Sequence, residues 1–283
     1  MKKILVTGAN GQLGKCIKEA ASSYSDLEII YASKGMLDIE DKNSISENFK
    51  KNTFDYCINT AAYTNVEKAE SEPEKAFAIN AEALKYLAAL CNENNVVLLH
   101  ISTDYVFDGK KESPYIETDP TNPINVYGAS KLKGEQYIQS LCKKYFIFRT
   151  SWLYSQYGHN FLNTILKYAA EKKPLKITTE QIGTPTNAND LANMLLEIIN
   201  TNSNTYGLYH YSNEGKATWY DFAKAILKYS NQFEAANLAQ TDYYRTFASR
   251  PKYSVLEKTK FFNTFNIDMI DWKESLKNVL SAK

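Results

Sequence analysis

The segment Val6-Thr7-Gly8-Ala9-Asn10-Gly11-Gln12-Leu13-Gly14 constrains the fold of this chain more than any other. Its three glycines stand between a short apolar run at 3–6 and a helix-like stretch at 14–24. A strand that turns sharply into a helix needs residues of this kind. The first glycine permits the turn, the second lets backbone approach a ligand, and the third lets the helix pack closely. The amides of the turn and the helix N-terminus then form an anion site. In this strand–turn–helix setting the motif predicts that Gly8, Asn10, Gly11, Gln12, Leu13 and Gly14 hold a dinucleotide pyrophosphate.

The alternation continues through the first half. Apolar runs at 27–32, 56–59, 96–102 and 146–150 predict strands, and the stretches 44–50, 74–92 and 128–145 predict helices. Continuous apolar strands separated by helices indicate a parallel sheet covered on both faces. The fold class is therefore α/β, a doubly wound (Rossmann) sheet. The second half is less regular, with helices expected at 161–171, 190–200 and 219–229 and a strand at 206–211. The expected organisation is a dinucleotide-binding domain over 1–150 and a smaller, partly interleaved α/β substrate-binding domain over 151–283. Parts of about 175–200 and 220–230 are expected to pack back on the first domain.

Composition excludes several classes. With 283 residues, 44% of them apolar, the chain can build its core without disulfides or metals. The 33 Lys and Arg balance 32 Asp and Glu, a net charge of +1, which argues against nucleic acid as a partner. No run approaches the roughly 18 apolar residues of a membrane span. The start, Met1-Lys2-Lys3-Ile4-Leu5-Val6, breaks at the glycine turn before any leader-like apolar region. Cys16, Cys57, Cys91 and Cys142 are widely spaced, with no paired motif or histidine cluster, as in a reduced cytoplasmic protein.

At the end of the second strand, Tyr31-Ala32-Ser33-Lys34-Gly35 places no acid at the tip, where one would hold ribose hydroxyls. Ser33 and Lys34 lean toward NADPH, or toward tolerance of NADH as well. Asp38, followed by Ile39, is placed to flank the adenine. Tyr127 and Lys131 lie four residues apart on a predicted helix, hence on one face. A neighbouring ammonium lowers a phenol's pKa, which makes tyrosine a usable proton donor. This pair follows a strand ending in Ser102-Thr103-Asp104-Tyr105, whose carboxyl end faces the ligand crevice of a parallel sheet. Thr103 can there share a hydrogen bond with Tyr127 and a substrate oxygen.

Gly8, Gly11 and Gly14, with Ser102-Thr103, Tyr127 and Lys131, resemble the extended short-chain dehydrogenase/reductase family. Further motifs are similar to its dTDP-sugar reducing branch: Asn59-Thr60-Ala61-Ala62-Tyr63-Thr64, Val66-Glu67-Lys68-Ala69-Glu70, Pro123-Ile124-Asn125-Val126-Tyr127-Gly128, Arg149-Thr150-Ser151-Trp152, Gly183-Thr184-Pro185-Thr186 and Arg250-Pro251. The resemblance runs from residue 2 to about residue 275. It implies reduction of the 4-keto group of dTDP-4-dehydro-L-rhamnose by NADPH or NADH. Tyr127, Lys131 and Thr103 would be catalytic, with Tyr127 and Lys131 also at the cofactor. Ala61, Ala62 and Tyr63 would line the cofactor, and Thr64 the substrate's edge. Thr103, Asp104, Tyr127, Trp152, Asn160 and Arg250 would contact the dTDP-linked sugar. Some relatives dimerise around a Mg²⁺ held by glutamates, one just after the glycine turn. This chain has Lys15 and Cys16 there, poor ligands for a hard cation. No metal is expected, and a monomer or weak homodimer is. Two other readings stay open: another nucleotide-sugar reductase or epimerase, and a non-catalytic dinucleotide-binding subunit.

Overall fold

Six strands form one parallel sheet, and side-chain alternation explains their continuous apolar sequences. The computed structural model describes residues 1–234, 236–242 and 246–281. In it β1 (Lys2–Thr7), β2 (Leu27–Ala32), β3 (Tyr56–Asn59), β4 (Val97–Thr103) and β5 (Tyr145–Thr150) are joined by the strand Gly207–His210. The order across the sheet is β2-β1-β3-β4-β5 and then Gly207–His210, each pair parallel. Ile4, Val6, Ile58, Leu99, Phe146 and Phe148 enter one core, and Leu5, Cys57, Leu98 and Ile147 the other. Both parities of the central strands are buried, so apolar residues dominate both, and the polar side chains among them need partners inside the protein. Each such aliphatic or aromatic side chain contributes about 1.5–3 kcal/mol by its burial.

The helices, in chain order, are α1 (Gln12–Ala20), α2 (Lys42–Lys51), α3 (Val66–Ser71), α4 (Pro73–Phe77), α5 (Ala83–Glu93), α6 (Val126–Leu141), α7 (Phe161–Ala170), α8 (Ala188–Asn200), α9 (Trp219–Tyr229), α10 (Thr259–Phe265) and α11 (Trp272–Ser281). Helices α1 and α8 close the first core, and α2, α5 and α6 close the second. A third core gathers Leu162 and Ile165 of α7, Phe222 and Ile226 of α9, and Trp272 and Leu276 of α11. This is the smaller lobe beside the carboxyl end of the sheet.

The structure departs from the sequence expectations at six points. The helix expected at 128–145 ends at Leu141, because Cys142 turns extended (φ −117°, ψ 127°) to feed β5. The helix expected at 74–92 contains a π turn, Ala78–Glu82, and is preceded by α3. The strand expected in the second domain pairs instead with β5 in the main sheet. Segment 220–230 does not pack on the sheet; α9 buries Phe222 and Ile226 against α7 and α11. Within 175–200, α8 packs on α1, but Leu175–Thr178 pairs with Leu238–Thr241. Helices α10 and α11 had no counterpart in the sequence reading.

Candidate active site

From β1 the chain runs outward to β2 and returns across β1 to form β3. The loops after β1 and β3 therefore leave in opposite directions, which opens a crevice at the carboxyl ends of the strands. A cavity of about 310 Å³ lies there. It brings together Gly8, Asn10, Gly11, Lys34, Asp38, Ile39, Ala61 and Ala62. Leu37, Glu40, Thr60 and Ile79 complete its wall; Thr60 lay within a motif but carried no expected contact, and no site role was expected of the other three. Gly8 has φ +65°, and a Cβ there would lie 2.7 Å from the Ala61 nitrogen. A Cβ on Gly14 would lie 2.6 Å from Ala9 Cα. Gly11 caps α1 with no side-chain hydrogen bond, and the first turn carries no acid. That leaves the helix N-terminus suited to an anion. The turn thus fits the pyrophosphate of a dinucleotide.

Other expected contacts are placed differently. Leu13 is in the first core. Gln12 Oε1 accepts from Asn160 Nδ2 at 2.7 Å, which ties the glycine turn to α7. Asn160 also caps α7 through the Asn163 amide and donates to the Ser155 and Tyr157 carbonyls. Its side chain is consumed inside the protein, so the structure does not offer it to a sugar. Ser33 is half-buried outside the cavity wall. Lys34 bonds Glu40 at 2.8 Å and lies 3.4 Å from Asp38. The bond to Glu40 pushes the Lys34 ammonium above its ordinary range. Tyr63 donates to Glu72 and packs with Ala69 and Ala76 beside Tyr127. Thr64 is exposed.

The second cluster forms where β4 meets the start of α6. The Asn125 side chain caps α6 by accepting from the Gly128 amide at 2.7 Å. This sets Tyr127 in the first turn, edge-on to Tyr105 with ring centroids 5.9 Å apart. The Thr103 hydroxyl donates to Asp104 Oδ1 at 3.2 Å and accepts from the Tyr105 amide. Its hydroxyl also acts on the Tyr127 phenol, in the direction that lowers it. Burial pushes that phenol up to about 12; Thr103 opposes the rise and the Asp104 charge adds to it. Burial pushes the Asp104 carboxyl up to about 7, with the Ser254 and Thr103 hydroxyls opposing the rise.

Lys131 corrects one expectation. Its Nζ donates to the Ile101 carbonyl at 2.6 Å and contacts His100 Nε2 at 3.0 Å. Spacing of four placed it on the face of Tyr127, but the side chain turns into the sheet. In this arrangement it does not lower the phenol. Burial pushes Lys131 itself down to about 7, with Glu135 pulling the other way. Between about pH 7 and the ordinary lysine value the unfolded chain binds a proton here that the folded chain does not. Stability therefore gains with rising pH across this window. Urea unfolding from pH 7 to 9.5 should show that gain in the wild type and lose it in Lys131→Met. Equal pH slopes would contradict the buried neutral amine.

Trp152 (φ +45°) stacks on Trp219 with centroids 3.6 Å apart, at the seam between sheet and smaller lobe. Arg250 Nη2 bonds Glu67 Oε1 at 2.8 Å, and the Phe247 and Ala248 amides donate to Glu67 Oε2. Burial alone would raise Glu67, but these partners hold it below its ordinary range. Glu67 stood in a quoted motif without a role; here it clamps the 247–250 segment beside Tyr105. Among the described residues no three His, Cys, Asp or Glu side chains are grouped to hold a metal ion.

A glycine-turn cradle and a tyrosine–threonine cluster at the carboxyl end of the same sheet define a dinucleotide-dependent oxidoreductase of the extended short-chain dehydrogenase/reductase class. Within that class the chain belongs to the dTDP-4-dehydrorhamnose reductase (RmlD) family, whose RmlD substrate binding domain model matches residues 1–283. It is 39% identical to the dTDP-4-dehydrorhamnose reductase of Aggregatibacter actinomycetemcomitans, over 99% of this chain and 98% of that one. Among solved structures, a dTDP-4-dehydrorhamnose reductase from Clostridium acetobutylicum superposes with a TM-score of 0.94 at 37% identity, covering 99% of both chains. The enzyme of Bacillus anthracis, in complex with NADP, superposes with a TM-score of 0.93 at 37% identity, covering 100% of both.

Proposed function

We propose that this chain reduces the 4-keto group of dTDP-4-dehydro-L-rhamnose to give dTDP-L-rhamnose. The observation that carries the reading is the buried Tyr127 phenol at the start of α6, edge-on to Tyr105 at the carboxyl end of β4, where Thr103 acts to lower it. It lies at the same carboxyl end of the sheet as the glycine cradle, in a chain of this family over its whole length. NADPH, when bound, supplies the hydride. Gly8, Asn10 and Gly11 would hold its pyrophosphate, and Lys34 and Asp38 its adenosine end. A phenol held at about 12 keeps its proton at neutral pH, the resting state an acid needs. Tyr127 gives that proton to the sugar oxygen as negative charge develops. Thr103 hydrogen-bonds the same oxygen, where a fixed polar group is most effective. Asp104 and Trp152 face the sugar, and Arg250 the nucleotide diphosphate once it exchanges Glu67 for phosphate oxygens. The enzyme acts as a monomer or weak homodimer in the cytoplasm. No helix among the described residues is long and apolar enough to cross a membrane.

The adenosine end supports use of both cofactors. Lys34 suits a 2′-phosphate, whereas Asp38 and Glu40 beside it suit ribose hydroxyls. Glu40→Gln should raise the NADPH-to-NADH ratio of kcat/KM about fivefold, since one nearby like charge is worth about 1 kcal/mol in a solvated site. An unchanged or lowered ratio would remove Glu40 from the cofactor's neighbourhood.

The experiment is loss of 340 nm absorbance with NADPH and a panel of dTDP- and UDP-linked 4-keto sugars, followed by chromatography of the product. The proposal requires preferred turnover of dTDP-4-dehydro-L-rhamnose. Preference for another sugar nucleotide would reassign the substrate. Cofactor binding without turnover of any of them would favour a binding subunit.

A further inference from the structure

A line of buried polar side chains runs beneath the site and has no part in the chemistry above. Thr7 on β1, Asn59 on β3, His100 on β4 and Lys131 on α6 are each at most 2% exposed. They are linked in that order. The Thr7 hydroxyl donates to Asn59 Oδ1 at 2.5 Å. Asn59 Nδ2 lies 3.0 Å from His100 Nδ1 and 3.4 Å from the Ala61 carbonyl. His100 Nε2 lies 3.0 Å from Lys131 Nζ, which reaches the Ile101 carbonyl.

The donors and acceptors of this line can be assigned. A hydroxyl on one side and a carbonyl on the other orient the Asn59 amide with Nδ2 toward Ala61 and His100. His100 Nδ1 must then accept. Burial and the neighbouring Lys131 hold the ring well below its ordinary range, so it is neutral and carries one proton. That proton belongs on Nε2, which faces Lys131. An N–H pointing at Nζ needs a lone pair there, which an ammonium lacks.

We propose that His100 is a positioning residue that donates its Nε2 proton to Lys131, storing the lysine as a neutral amine against the Ile101 carbonyl, with Asn59 and Thr7 fixing the histidine tautomer. A proton taken up from solvent at Nζ uses the lone pair that receives the His100 hydrogen bond. The resulting ammonium opposes the His100 N–H and is released toward the Tyr127 side of α6. There it can stabilise the phenolate left after proton donation. The charged groups near the pair are Glu135, four residues on along α6, and its partner Arg149 on β5. This inference rests on the proposed reduction for its meaning, but its test reads the free protein and needs no substrate.

The test is nitrogen NMR of the ¹⁵N-histidine-labelled protein, in which only His100, His159 and His210 report. His100, assigned by its loss in His100→Gln, should show the neutral ring with its proton on Nε2. A proton on Nδ1, or a charged ring at pH 7, would overturn the proposal; the reading is made on the wild-type protein, and should His100→Gln fail to fold, variants at His159 and His210 assign the signal by elimination. The second arm follows Lys131 in ¹³Cε-lysine-labelled protein, assigned against Lys131→Met. Loss of the donor in His100→Leu should raise the Lys131 pKa by about one unit, since a hydrogen bond to the neutral amine then disappears. His100→Gln, which can still accept from Asn59 and donate to Lys131, should restore the wild-type value. A fall in His100→Leu would mean that histidine accepts from an ammonium, the reverse of the proposal. An unchanged value would mean that it does not act on Lys131.

Discussion

Tyr127→Phe is expected to lower kcat by about 10²–10⁴-fold, the range a positioned general acid supplies. The ring survives, and with it the edge contact to Tyr105. The dinucleotide cavity between β1 and β3 is lined by other residues, so NADPH titration should give nearly the wild-type affinity. Thr103 keeps Asp104 and the Tyr105 amide as partners, which limits structural damage. Turnover close to wild type in this variant would remove Tyr127 from the chemistry and leave the cluster as packing.

The largest stability effect is expected at a buried ion pair behind the site. Arg149 on β5 places Nε 3.0 Å and Nη2 2.7 Å from the Glu135 carboxylate on α6. Ser102 on β4 donates to the same carboxylate. Side-chain exposure is 4% for Arg149 and 1% for Glu135, so removing one partner strands a charge in a dry interior. Arg149→Met should cost about 3–5 kcal/mol in urea unfolding. Arg149→Met combined with Glu135→Leu should recover most of that loss, because two apolar groups replace the pair. A single variant within about 1 kcal/mol of wild type, or a double variant no better than the single, would contradict this account. The pair joins α6 to β4 and β5, and so holds Tyr127 and Thr103 in register.

The parts legible in the sequence are those set by local rules. The runs that became β1 to β5 are apolar through most of their length because both faces are covered, with buried polar residues gathered toward their carboxyl ends. The glycine turn is legible because Gly8 and Gly14 answer to steric demands only glycine meets. Helix α9 matched its expected limits because Thr218 and Asp221 form a capping box at its start. Non-local pairing was not legible. Gly207–His210 is too short to announce that its partner is β5 rather than a strand of its own lobe. Spacing along α6 put Lys131 on the right face, but not its χ angles, so its turn toward His100 and Ile101 was missed. Asn160 read as a polar ligand residue, yet it serves as a helix cap and a tie to Gln12. His100 did carry a signal: one imidazole within the apolar run Val96-Val97-Leu98-Leu99-His100-Ile101 must find partners when buried.

The most direct measurement of the central claim is the fate of the transferred hydrogen. NADPH carrying deuterium at the transferable position of its nicotinamide would be reacted with dTDP-4-dehydro-L-rhamnose, and the product read by NMR and mass spectrometry. The account predicts one deuterium, bound at C4 of a sugar that is dTDP-L-rhamnose. Deuterium at another carbon, or product formed without it, would contradict hydride reduction of the 4-keto group by this site.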